Sequence, residues 1–81
     1  MTAALLIDAQ VEHARITAVA GADAAELAGW LANHGPATPG VSGAALGWGA
    51  GRTWRAEVAL QQASLIRHDR LGRAELIIER R

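Results

Sequence analysis

Eighty-one residues with eight arginines, eight acids, no lysine and no cysteine carry no formal net charge. The missing cysteines exclude disulfide stapling and thiolate zinc sites, and the neutrality argues against a general nucleic-acid coat protein. Nineteen alanines inflate the apolar fraction. The bulky set is nine Leu, five Ile, four Val, three Trp and Met1, which suits a single domain over 1–81 with a thin core, favouring a homodimer or burial against a partner.

In chain order, "LLIDAQVE" puts Leu5, Ile7, Ala9 and Val11 on one side and Asp8, Gln10 and Glu12 on the other, the two-residue period of a half-buried strand. The phase shifts at Glu12–His13, and Ala14, Ile16, Ala18 and Ala20 predict a second strand. Ile7, Val11, Ala14 and Ala18 also fit a helical stripe, so one helix is the rival reading. A helix follows: Asp23 and Glu26 form a capping box, Ala24, Leu27, Ala28 and Leu31 supply its buried stripe, and Gly35–Pro36 ends it. Gly35 is expected to take the left-handed position, and His34 suits the dipole of the last turn.

The nineteen residues from Gly35 to Thr53 read as a long glycine-rich connection, with a short strand or turn around Val41 to Leu46. Trp48 stands between two glycines, either tucked over the core or presented to a partner; Trp30 and Trp54 read as core. "TWRAEVALQ" alternates with Trp54, Ala56, Val58 and Leu60 inward, which predicts a strand. "SLIRHDRLGRAELIIER" predicts a hairpin with the loop Arg70–Leu71–Gly72. Asp69 then faces Arg73, His68 faces Ala74, Arg67 faces Glu75 and Ile66 faces Leu76. Extended to the preceding strand, the register gives charge rows Arg55–Asp69–Arg73 and Glu57–Arg67–Glu75, and an outward apolar row Ala59–Leu65–Ile77. The expected fold is α+β: an antiparallel sheet of about five strands (β-β-α-β-β-β) with one helix packed on one face.

Ser42, Ser64, His13, His34, His68, Asp8, Asp23 and Asp69 show no spacing that assembles a catalytic triad, and the histidines show no metal-ligand spacing. His68 reads as a partly buried structural histidine. "GWGAG" runs into a predicted strand without a lysine, unlike a phosphate loop. No enzyme activity, metal or cofactor is expected. Residues 1–40 carry four acids and one Arg, residues 41–81 seven Arg and four acids. The charge rows leave only Arg52, Arg70, Arg80 and Arg81 free, and with no exposed aromatic row for stacking, direct nucleic-acid contact is not expected. The uncharged run Leu27–Gly51 is broken by glycines and prolines and does not suit a membrane helix. With no signal-peptide pattern in "MTAALLIDA", a soluble cytoplasmic protein is expected.

The element order from "LLIDAQVE" through "DAAELAGWLANHG" to "TWRAEVALQ" and "SLIRHDRLGRAELIIER" resembles small anti-CRISPR proteins of phages and mobile elements that act on type I systems. That resemblance implies a non-enzymatic inhibitor that binds a multisubunit Cas effector complex (Cascade) and blocks target DNA binding or nuclease action. Many of that group are acidic mimics of DNA; this chain departs from that pattern in being neutral, and Asp8, Glu12 and Glu26 would be the only local candidate. From the residues themselves, the partner-binding candidates are Trp48, Arg52, Leu65, Arg70 and Ile77. The alternatives are a small nucleic-acid-binding accessory protein using the arginine-rich second half, and a structural subunit of a phage or plasmid assembly.

Overall fold

The computed structural model describes residues 12–77. The expected strand Leu5–Val11 and the arginines Arg80 and Arg81 lie outside that range. Four helices come first: α1 (described over 12–20), α2 (Ala22–His34), α3 (Pro39–Leu46) and α4 (Ala50–Gln62). A two-stranded antiparallel sheet closes the order, β1 (Ile66–His68) with β2 (Ala74–Leu76). The expected five-stranded sheet with one helix is therefore overturned.

The helix α2 forms as the stripe predicts, burying Ala24, Ala25, Leu27, Ala28 and Leu31. Its N-cap is Gly21, not Asp23, and no side chain caps it. At its end Gly35 has φ 86 and ψ −176, a positive φ as expected but outside the left-handed helical well. Residues 12–20 are helical, so the rival reading of that stretch holds and the second strand does not.

Two further corrections share one cause, apolar spacing compatible with two periods. "TWRAEVALQ" is the body of α4. Ala56 and Leu60 satisfy a period of two and also a helical stripe, and the buried set Thr53, Ala56, Glu57 and Leu60 is the i, i+3, i+4, i+7 one. Trp54, expected in the core, is therefore turned out and is 61% exposed. The glycine-rich connection holds α3, started by Thr38 with Pro39 in its first turn. Two glycines in eight residues make a poor isolated helix; packing makes it stable here. Gly43 sits so close to α4 that a Cβ there would lie 2.5 Å from Thr53 Oγ1. Buried Ser42 and Thr53 turn their hydroxyls onto their own helices' carbonyls, at Thr38 and Gly49, so the close contact leaves neither unpaired.

The hairpin forms in the expected register, with Ile66 opposite Leu76, Arg67 opposite Glu75 and His68 opposite Ala74. Gly72 has the positive φ of the loop. The outer edge of β2 is covered by the α2–α3 connection, where Ala37 and Ala74 exchange both backbone hydrogen bonds, at 3.2 and 2.8 Å. One core lies between the helices and this sheet, built from Ala24, Leu27, Ala28, Leu31, Ala37, Trp48, Ala56, Leu60, Ile66 and Ala74.

The end of α4 is a Schellman turn with an uncommon residue in the left-handed place. Ser64 has φ 61, its N–H donates to the Gln61 carbonyl, and Leu65 N–H donates to the Leu60 carbonyl. Ser64→Gly is expected to raise stability by about 1 kcal/mol by relieving the left-handed cost, read as a higher urea midpoint with an unchanged m-value.

Candidate nucleic-acid interface

Gly47, Trp48 and Gly49 connect α3 to α4 in a three-residue turn. Gly47 (φ 74, ψ 27) sits in the left-handed well and ends α3. Its N–H donates to the Ala44 carbonyl, and Trp48 N–H donates to the Gly43 carbonyl at 2.8 Å. This geometry drives the Trp48 ring inward, to 9% exposure within the core. Of the two readings of Trp48, tucked is the observed one. Two helices joined by a short glycine turn have the element order of a helix-turn-helix, and a β-hairpin follows the second helix directly.

Arg52 fastens this turn. Its guanidinium lies over the Trp48 ring, 4.4 Å from the centroid, and forks onto Asp23 of α2 at 2.9 and 3.0 Å. The fork holds the Asp23 carboxyl below its ordinary value of 3.8. Arg52 is thus engaged, whereas the sequence left it free.

The opposite holds for Arg55. The strand reading placed it in a charge row with Asp69 and Arg73; on α4 it faces outward and forms no ion pair among the described residues. The rest of each row survives in the hairpin. Arg67 pairs with Glu75 at 3.0 Å and Arg73 with Asp69 at 2.7 Å. The outward stripe of α4 by helical spacing is Gly51, Trp54, Arg55, Val58, Gln61 and Gln62, and it contains no acid.

The single acid of α4 points the other way. Glu57 has a side chain 5% exposed, and its Oε1 accepts from His68 Nε2 of β1 at 2.9 Å; the His68 side chain is 32% exposed. Glu57 Oε2 is buried with no hydrogen-bond partner among the described residues. The pair ties α4 to the hairpin. His68 is the partly buried structural histidine the sequence suggested, but its partner came from a residue assigned to the solvent face.

Arg70 is exposed at the hairpin tip, beside Leu71, which is 72% exposed. Asp69 makes the tip stiff: Oδ1 accepts from the backbone of Leu71 and Arg73, and Oδ2 from the Arg73 side chain. These bonds hold its carboxyl below the ordinary 3.8, those from Arg73 contributing most. A folded-state value below the unfolded one adds stability above about pH 4, and that stability is lost as pH falls through the lowered value. The melting temperature of the wild-type chain is therefore expected to fall on acidification below pH 4 more steeply than that of Asp69→Asn, measured by thermal denaturation across the pH range.

Of the five sequence candidates, Trp48 and Arg52 meet at the turn. Leu65 and Ile77 meet at the far end of the hairpin, where Ile77 N–H donates to the Leu65 carbonyl at 2.9 Å. Leu65 packs on the core, Ile77 is half exposed, and Ala59 of the expected apolar row is on α4 instead. Arg70 stands apart at the tip. Missed by the sequence reading were Trp54 and Arg55; helical rather than alternating spacing was the signal that would have found them. Two shallow depressions, one lined by Val19, Ala20, Ala59, Gln62 and Ala63 and the other by Pro39, Gly40, Gly43, Ala44, Trp48, Ala50 and Thr53, contain no ionisable side chain. Among the described residues, no three His, Asp or Glu side chains gather to hold a metal, and no helix is long and apolar enough to cross a membrane.

No protein-family model matches the chain, and neither the curated proteins nor the solved structures yield a match.

Proposed function

We propose that the chain binds double-stranded DNA as a winged helix-turn-helix domain, with α4 entering the major groove and the β1–β2 tip resting on the adjacent backbone. The observation that carries this is the α3–turn–α4 unit followed at once by the hairpin, with the outward face of α4 free of acids. A merely solvated helix face normally carries acids and lysines. This one offers an arginine, two glutamines, a tryptophan and a valine, which suit base edges and methyl groups. Arg70 at the tip supplies positive charge for the phosphate backbone, and Arg55 brings a second positive charge to the duplex from the helix. The neutral overall charge does not oppose this, because three acids are already paired, Asp23 with Arg52, Asp69 with Arg73 and Glu75 with Arg67, while Glu26 is exposed on α2 and forms no ion pair among the described residues.

Fluorescence anisotropy with labelled duplex DNA tests the proposal. Binding is expected at low salt and is expected to weaken as salt rises. Arg70→Ala is expected to lower affinity similarly on all sequences and to make the salt slope shallower by about 1. No binding at low salt would remove the reading.

A second reading is a non-enzymatic protein-binding role, favoured by the exposure of Trp54 and Leu71, since tryptophan is a frequent anchor at protein interfaces. A type I Cas effector complex is one partner to test by co-purification. The layout that suggested it had five strands, whereas the described residues form two. Capture of such a complex that Trp54→Ala abolishes, together with no DNA binding, would favour this second reading.

A further inference from the structure

The outward face of α4 is uneven in a way that bears on which duplex it selects. Gly51 lies on that face one turn before Trp54 and Arg55. With no side chain there, the first turn of α4 leaves room for a neighbouring side chain to lie along it. The Arg55 guanidinium folds back over this bare position, so that a Cβ on Gly51 would lie 3.5 Å from its Nη1. The arginine therefore reaches toward the N-terminal end of the helix and has no ion-pair partner among the described residues to draw it away. Beside it, Trp54 presents an indole that is 61% exposed. A large apolar ring left in water next to an unpaired fork of donors has two matching chemistries on one groove edge. Guanine offers paired acceptors at N7 and O6, and thymine offers a 5-methyl group.

Resting on the duplex-binding reading above, we infer that Arg55 and Trp54 set sequence preference. Arg55 donates in parallel to N7 and O6 of a guanine, and Trp54 packs on the methyl group of a thymine at a neighbouring base pair. The other side chains of the stripe, Gln61 and Gln62, lie two turns further along, and Val58 lies between. Arg52 does not take part, because Asp23 and Trp48 occupy its guanidinium.

The test uses the full chain and selection from a randomised duplex pool, followed by atom-level probes in the enriched site. The enriched sequences are expected to share a guanine adjacent to, or directly across from the neighbour of, a thymine. Replacing that thymine by uracil removes only the methyl group and is expected to weaken wild-type binding about fourfold. Trp54→Ala is expected to be insensitive to the same change. Replacing the guanine by 7-deazaguanine is expected to weaken wild-type binding about tenfold. Arg55→Lys keeps the charge but loses the planar fork, so it is expected to hold duplex DNA with a weakened preference for guanine, and Arg55→Gln is expected to lose that preference. Far-ultraviolet circular dichroism of these variants checks that the fold is kept, as the exposure of both residues leads one to expect. Duplex binding with no enriched base, or a wild-type protein indifferent to both probes, would overturn the inference and leave the duplex reading standing. Failure to retain any duplex would remove both.

Discussion

His68→Ala is expected to destabilise the domain by about 3 kcal/mol, whereas Glu57→Met, the substitution at the other end of the same bond, is expected to cost much less. The asymmetry follows from burial. Removing His68 leaves a carboxylate whose side chain is only 5% exposed with neither oxygen paired among the described residues, because Oε2 already lacks a partner there. An uncompensated buried charge of this kind costs about 3–5 kcal/mol, and the lower end applies because water can follow the loss of a side chain one-third exposed. Removing Glu57 in favour of methionine takes away the charge and fills its volume, and His68 can turn to solvent. The double variant is expected to recover most of the loss of His68→Ala. Urea unfolding of the four proteins closes the cycle. Equal losses in the two single variants would mean that the bond, and not the buried charge, sets the energetics. Since the domain as a whole is expected to be stable by only about 5–10 kcal/mol, a change of this size is a large fraction of the total.

The second large effect lies at the contact between α3 and α4. Gly43→Val is expected to lower stability by about 3 kcal/mol and to abolish DNA binding at temperatures where the wild type is folded. A Cβ at this position meets Thr53 Oγ1 at 2.5 Å, and Thr53 Cβ and Cγ2 lie at 3.4 and 3.5 Å. Thr53 cannot yield easily, because it is fully buried and its hydroxyl is bonded to the Gly49 carbonyl at 3.0 Å. The helices must separate, and overpacking of this sort typically costs about 1–3 kcal/mol, with valine at the upper end. Gly43→Ala with Thr53→Ala removes the opposing atoms. That pair is expected to be more stable than the sum of its single effects, a positive coupling measurable by thermal or urea unfolding. Strict additivity would show that the close approach of α3 and α4 is not what requires glycine at 43.

These two sites also show why the sequence was legible in some places and not in others. The helix α2 and the hairpin are locally encoded. The stripe Ala24, Leu27, Ala28 and Leu31 ends at Gly35–Pro36, and the loop ending at Gly72 brings Asp69 to Arg73 and Arg67 to Glu75 without help from other elements. The glycine-rich segment is encoded by tertiary contact instead. Pro39–Leu46 has low helix propensity, and its reason for small residues is Thr53, on another helix. In α4, Ala56 and Leu60 satisfy both periods; the deciding residues are Trp54, whose ring reads as core, and Glu57, whose charge reads as surface. Each does the opposite. That inversion hid the candidate site, because it placed Arg55 in a charge row and Trp54 in the interior.

In the proposed complex, the outward face of α4 and the hairpin tip together form one surface for duplex DNA. At 8.5 kDa the protein suits residue-by-residue observation by amide NMR, and titration with a short duplex tests the claim most directly. The account predicts that the signals of Gly51, Trp54, Arg55 and Val58, the Trp54 indole, and Arg70 to Gly72 shift together, while those of residues 12–20 stay in place. Shifts centred on residues 12–20, or no shift at any duplex concentration in low salt, would contradict it.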